Sequence, residues 1–398
     1  MSLLRGFEKW LFVVSALTAF GCSGSATDAD DSGNSFPSRR PSFESAGRRL
    51  GYVANRNSDT VSVLDLDRMT LLASVPVGRD PVDIDGPRHL VLDADHGLGY
   101  LALSYPFASM SVHALSQGAT QRSGYVQALK LADLSIAGEL RVDPVASELA
   151  FSSATGTLAV SHADFFRALQ ADSEARRANV VFVDPANAIA QGVATPNRRE
   201  VCAVPSAIAF DGDGARLFVA CTGEDSVVVV DRASGTVLSR VPAGAAEVNK
   251  PYALVVDAGR DRLLVSNQVA LSVSVFDLGD TPHLLTTLAR TSAVPMFPVL
   301  LSDNTLAVPF QAPNGAALNG AALFDVATGE RVLEIQYSDA DCANPSEFSL
   351  TGDSRLFLVC EGDHYHPGAV VEVAPDTLAI TARVPVELYP ERMSILEP

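Results

Sequence analysis

Two imidazoles and two carboxylates fall within the six residues Glu361-Gly362-Asp363-His364-Tyr365-His366, the densest grouping of ligand-type side chains in the chain. Nitrogen and oxygen donors this close together suit zinc, copper or iron, with His364 and His366 as the first metal ligands and Glu361 or Asp363 as the next. A His-x-His in an extended strand would turn both rings to one side. The same six residues also make an ordinary polar loop with solvated histidines, and the sequence leaves both readings open. Ser161-His162-Ala163-Asp164 is a second imidazole–carboxylate pairing, able to sit beside a nucleophile or a cofactor or to serve as plain loop. His89, His96, His113 and His283 stand apart from any partner pattern. Asp211-Gly212-Asp213-Gly214 lacks the later ligands of a calcium loop and reads as a hairpin turn. No Gly-x-Ser-x-Gly elbow, phosphate loop or dinucleotide fingerprint occurs. Without a Cys-x-x-Cys-His there is no covalent c-type haem. No catalytic residue and no cofactor is assigned, zinc or copper at His364 and His366 being the exception to test.

The elements that must carry these residues come from a repeat. Tyr52-Val53-Ala54-Asn55, Ser58-Asp59-Thr60-Val61-Ser62-Val63-Leu64-Asp65 and Val75-Pro76-Val77-Gly78 with Pro81 form one unit. Pro205 to Pro251 and Pro251 to Asp277 hold clear further copies, and looser ones follow to the C-terminus. The apolar runs are of strand length, alternate, and are rich in β-branched residues. Second strands ending at Asn55, Ser104, His162, Cys221, Asn267, Phe310 and Cys360 are spaced by 49, 58, 59, 46, 43 and 50 residues. Four strands at that period make a propeller blade, so the chain is predicted to be all-β, a seven-bladed β-propeller of four-stranded antiparallel blades. The two widest spacings imply insertions around Ser104–Ser123 and His162–Ala178. Val384-Pro385-Val386 with Pro390 repeats Val75-Pro76-Val77 with Pro81. Pro390 to Leu396 is therefore expected to supply the inner strand of the first blade, closing the ring by pairing the two ends of the chain.

On these residues the chain resembles the YVTN-type repeat propellers, a bacterial and archaeal family named for its Tyr-Val-Thr-Asn strand end. The resemblance covers residues 48–398 and implies a propeller. It implies no single activity, since such propellers include surface proteins, cofactor-bearing electron-transfer domains and binding scaffolds. In a propeller of this kind ligands sit where the second-to-third-strand loops surround the channel, a face that here carries His162, Asp164, Asn267, Glu361, Asp363, His364 and His366.

Residues 1–21 resemble a lipoprotein signal peptide: Arg5 and Lys9, an apolar run from Trp10 to Phe20, then Ala19-Phe20-Gly21-Cys22. The run is too short to span a bilayer. Cys22 is the expected lipidation site, and residues 22–47, rich in Ser, Asp, Gly and Pro, the expected disordered tether. Ser23 in place of Asp favours an outer-membrane lipoprotein of a bacterial envelope, the membrane reached through the lipid anchor. Trp10 is the lone tryptophan, which argues against propellers built on a Trp-Asp repeat. A formal charge of −18 disfavours nucleic acid.

Setting Cys22 aside, Cys202, Cys221, Cys342 and Cys360 remain, an even number in an exported chain. Cys202 and Cys342 each lie three residues before a blade-opening proline, and Cys221 and Cys360 each end a second strand. Cys202–Cys221 and Cys342–Cys360 are the expected disulfides, each within one blade; redox or metal cysteines are the competing reading. The function expected from the sequence is a monomeric, envelope-anchored binding scaffold for a protein or small molecule. The alternative is a lactonase- or dehydrogenase-like enzyme, or a redox or metal protein, using the face around His364, His366 and His162.

Overall fold

A computed structural model describes residues 43–398 apart from 45–46, 80–83, 105–122, 166, 171, 173, 192–196 and 313–317. The signal segment, Cys22 and nearly all of the tether lie outside the described residues.

Short β-branched runs set the local structure. Ser226–Asp231 and Ser272–Asp277 are buried along almost their whole length, as strands are when their sheet is packed against another on each face. Seven small antiparallel sheets form in this way and stand in a ring, a seven-bladed β-propeller. The inner strands of blades two to five are Pro87–Asp93, Ala146–Ser152, Pro205–Phe210 and Pro251–Asp257, and that of blade seven is Pro345–Leu350. Blade one takes its inner strand from the C-terminus. Leu50–Asn55 pairs with Thr60–Asp65 on one side and with Pro390–Leu396 on the other, Leu50 lying opposite Leu396. The long connections of blades two and three lie after Leu103 and His162, where the spacing placed them.

Seven apolar clusters fill the seven gaps between neighbouring blades. The outermost strands alternate instead, Val237–Pro242 being exposed or half-exposed throughout. Blade six departs from the four-strand pattern. Its inner strand is broken into Val294–Pro295 and Val299–Leu300, both paired to Thr305–Gln311. Pro295 and Pro298 flank the break and remove two donors. Phe297 bonds instead to blade seven, accepting from the Phe348 N–H at 3.1 Å and donating to the Ser346 carbonyl at 2.9 Å.

The repeat motif has a physical content at each blade junction. The residue just before the inner strand takes positive φ in six blades: Gly86, Val145, Val204, Lys250, Asn344 and Tyr389. Five of these six are not glycine, so the conformation is imposed against the Cβ clash. In exchange the carbonyl of that residue accepts an N–H from just past the end of the same blade's second strand. Glu361 N–H donates to Asn344 at 3.0 Å, and Arg56 N–H to Tyr389 at 2.9 Å. Asp59 and Asp225 secure two junctions by accepting backbone N–H groups of Asp85 and Gly86, and of Asn249 and Lys250. The strand-end asparagines serve the blade too. Asn55 donates to the Ser62 hydroxyl and Asn267 to the Ser274 hydroxyl, each at 2.9 Å.

Both disulfides form as paired in the sequence, with Cα separations of 5.9 Å for Cys202–Cys221 and 5.1 Å for Cys342–Cys360. Their placement within single blades is corrected. Cys202 belongs to Asn197–Ala203, the outer strand of blade three, so its bond to Cys221 joins blades three and four. Cys342 ends the short helix Asp339–Cys342 in the link from blade six, and its bond ties that link to blade seven. The outer strand of one blade runs on into the junction with the next, which moves each first cysteine back across the boundary. Two disulfides mark the domain as extracytoplasmic in its chemistry.

Candidate functional site

The residues that open the inner strands meet in the channel, and here a buried ionic cluster assembles from five blades. Arg88 comes from blade two, Glu148 from blade three, Tyr252 from blade five, Glu347 from blade seven, and Glu391 with Arg392 from blade one. Arg392 reaches Glu148 and Glu347, each at 2.6 Å, and its guanidinium lies 3.8 Å from the centre of the Phe297 ring. Glu391 is held by Arg56 at 2.8 Å and Arg88 at 3.3 Å. Arg88 also donates to the Tyr252 hydroxyl at 3.0 Å. His89 Nδ1 lies 2.8 Å from Glu148, so this histidine is not isolated as its sequence context suggested. Burial by itself would raise the Glu148 carboxyl; Arg392, His89 and Arg88 outweigh it and hold the group at about 2. Burial likewise works against the charge on Arg88, but Glu391, Tyr252 and Glu148 prevail and drive it above the usual guanidinium range.

Above this plug opens a cavity of about 830 Å³. Glu361 and His364 stand in its wall with Tyr252 and Tyr389, and Gln311, Phe165 and Tyr365 are further parts of it. Glu361 is nearly buried. Its carboxylate lies 3.0 Å from His364 Nε2 and takes a hydrogen bond from the Gln311 side chain. Burial pushes the carboxyl up, the nearby Glu391 charge adds to that, and His364 and Gln311 restrain it. Among the described residues it forms no ion pair with a lysine or arginine, although Arg88 and Arg392 line the small space beneath it. The three guanidiniums of Arg56, Arg88 and Arg392 are matched by Glu148, Glu347 and Glu391; Glu361 is the fourth carboxylate.

Local structure holds this pair in place. His364 has a φ of 68° and Tyr389 one of 55°, and their rings stack with centres 3.6 Å apart. The Asn57 side chain donates to the His364 carbonyl at 3.1 Å, and the Asn344 side chain to the Gly362 carbonyl at 2.7 Å. Gly362 itself has a φ of 74°, a value that suits glycine. The stretch Glu361–His366 is therefore a loop, not the extended strand that would have put both imidazoles on one side. His364 turns inward to Glu361, whereas His366 lies on the surface with Nδ1 2.7 Å from Asp363. The His366 pairing and the backbone N–H groups of Tyr365 and His366 hold Asp363 at about 2. Among the described residues no three His, Cys, Asp or Glu side chains gather as a metal-binding group.

The other face residues are elsewhere. His162 and Asp164 line a separate hollow of about 330 Å³ with Asp143, Arg167, Asn179 and Arg198. His162 is buried, its Nδ1–H donates to the Asn179 carbonyl at 2.9 Å, and burial pushes the imidazole down, so it stays neutral. Among the described residues of that insertion, Phe165 is the one that reaches the channel mouth. Asn267 is buried within blade five. Sequence reading missed the ionic plug and both tyrosines. The available signal was a polar or charged residue soon after each blade-opening proline: Arg88 after Pro87, Tyr252 after Pro251, and Glu391-Arg392 after Pro390.

No protein-family model matches the chain, and no curated protein matches it. Solved structures do. The periplasmic gluconolactonase PpgL of Pseudomonas aeruginosa is similar over 88% of this chain and 99% of its own, with 15% identity and a TM-score of 0.65. The dihydro-heme d1 dehydrogenase NirN, solved in complex with DHE, is similar over 89% of this chain and 77% of its own, with 18% identity and a TM-score of 0.56. Hydrazine synthase of Kuenenia stuttgartiensis is similar over 81% of this chain and 98% of its own, with 15% identity and a TM-score of 0.59. At such identities the likeness is one of fold.

Proposed function

We propose that the channel mouth is a small-molecule site and that Glu361 and His364 move a proton within it, making the protein an acid–base enzyme of the propeller type. The carrying observation is a nearly buried carboxyl, raised by burial, in contact with an imidazole at the wall of a cavity large enough for a substrate. A group shifted toward neutrality exchanges protons efficiently at physiological pH. The gluconolactonase and dehydrogenase names among the structural neighbours support this reading over a passive scaffold. Hydrolysis of a cyclic ester is the reaction that fits. Water adds to the carbonyl carbon as the Glu361 carboxylate takes one of its protons. The ring C–O bond then breaks, the departing oxygen receives that proton, and a hydroxy acid leaves.

The test is titration of acid released from five- and six-membered lactones by the full chain. Glu361→Gln is expected to cut the rate by about 10²–10⁴. Rates that match buffer across the panel, or an unchanged Glu361→Gln rate, overturn the reading. The second reading is the binding scaffold, which Leu169, Val248 and Val269 favour as exposed apolar side chains on the mouth side of the ring. A scaffold would bind without turnover.

The envelope setting belongs to the same proposal. Membership of the YVTN-type repeat family, lipidation at Cys22 and an outer-membrane address are consistent with the extracytoplasmic chemistry of the disulfides. Cys22→Ser is expected to release the protein from membranes or leave it unprocessed; normal cleavage with continued membrane partition would exclude the anchor. Zinc or copper at His364 and His366 is the cofactor proposal, and it requires His366 to leave Asp363 and turn toward His364. It is tested by titrating each metal into wild type and a His364→Ala, His366→Ala double variant, equal weak binding excluding it.

A further inference from the structure

The same mouth, on the reading above that it is a small-molecule site, also carries a statement about ligand charge. Its described wall holds the carboxylates of Glu361 and Asp363 and no lysine or arginine. The arginines below are already matched: Arg56 and Arg88 to Glu391, and Arg392 to Glu148 and Glu347. An anionic group entering the cavity would meet two carboxylates and no unmatched cation, and the chain as a whole carries a net charge of −18. Among the described residues Glu361 is the buried channel carboxylate without a guanidinium ion pair, which leaves room for a positive charge to be brought by the ligand. Aromatic rings complete the setting. Tyr252 and Tyr389 stand in the wall, with Phe165 and Tyr365 exposed at its rim. Ring faces carry negative potential and attract ammonium groups, most strongly where water is displaced.

We propose that the mouth takes an organic cation, an amine or quaternary ammonium borne on an apolar ring or chain, and rejects phosphorylated and carboxylated compounds. The ammonium pairs with Glu361 and the apolar portion lies along the aromatic rim.

The experiment is calorimetric titration of the full chain at pH 7.5 with three probes of one shape: benzyltrimethylammonium, benzyl alcohol and benzyl phosphate. The cation is expected to bind at least tenfold more tightly than the alcohol, and the phosphate to give no measurable heat. Glu361→Gln is expected to lower cation affinity at least tenfold while leaving the alcohol unchanged. Tyr365→Ala, a change at a largely exposed ring, is expected to lower it about threefold with thermal unfolding unaltered. Equal affinity for phosphate and ammonium overturns the proposal. So does a Glu361→Gln protein that is fully folded at pH 7.5 and binds the cation equally well. The two readings fail separately. Cation binding without turnover of any ester removes the acid–base enzyme and keeps the charge preference, whereas turnover of neutral and phosphorylated lactones alike does the reverse.

Discussion

Glu361 and Glu148 sit in one channel and answer pH in opposite directions. Glu148 is held at about 2 by its arginines against an ordinary value of 4.5. The stability it contributes is therefore present above the ordinary value and lost as pH falls toward 2. Glu361 is raised, so its relative contribution is present below the ordinary value and lost as pH rises through its folded pKa. Thermal unfolding from pH 4 to pH 8 should show Glu361→Gln melting above wild type at pH 8, with the gap closing toward pH 4. A constant gap would mean that Glu361 does not titrate in this range. Arg392 makes the two shortest ion pairs described in the plug, 2.6 Å each to the buried carboxylates Glu148 and Glu347. Arg392→Met leaves both without that partner and should cost about 3–5 kcal/mol in urea unfolding.

Among the elements, the loop that carries Glu361 and His364 is fastened from beneath. Cys360 immediately precedes Glu361, and Cys342 precedes Ala343 and Asn344, whose carbonyls accept the N–H groups of Gly362 and Glu361 at 3.1 and 3.0 Å. Replacing Cys342 and Cys360 by serine should cost about 3 kcal/mol and weaken activity or binding at the mouth beyond what unfolding explains. The matching change at Cys202 and Cys221 should cost a similar amount and leave the mouth unaltered, because that bond lies between blades three and four. Equal functional loss in both variants would separate the mouth from its disulfide. Elements were also where the sequence was most legible. Asn55 with Thr60-Val61-Ser62-Val63, and Asn267 with Ser272-Val273-Ser274-Val275, recur because each unit solves the same hydrogen-bonding problem, so their period gave the blades. The plug was not legible in that way. Arg88, Glu148, Glu347 and Glu391 are single residues from different blades, brought together only when the ring closes. Local density pointed to Glu361–His366 but could not show that the loop would turn His364 in and His366 out, which depends on a positive φ and on stacking against Tyr389 at the entry to the inner strand of blade one.

At the scale of the molecule, the ring is held by seven interblade clusters and one joint between the chain's ends. Removing Pro390–Pro398 takes away the inner strand of blade one, the partner of Leu50–Asn55, together with Arg392 and Glu391. The shortened chain should aggregate or lose cooperative unfolding, followed by light scattering and calorimetry. Unchanged melting would exclude the closing role of that strand. This joint has a consequence in time. Blades two to seven each draw their strands from one continuous stretch, so each can assemble as its stretch becomes available. Blade one begins first and finishes last, waiting for a partner more than 300 residues away. Until the final strand arrives, the channel lacks Glu391 and Arg392 and the mouth lacks Tyr389. On the function proposed above, a chain in which Pro390–Leu396 has yet to dock against Leu50–Asn55 therefore has an unfinished site.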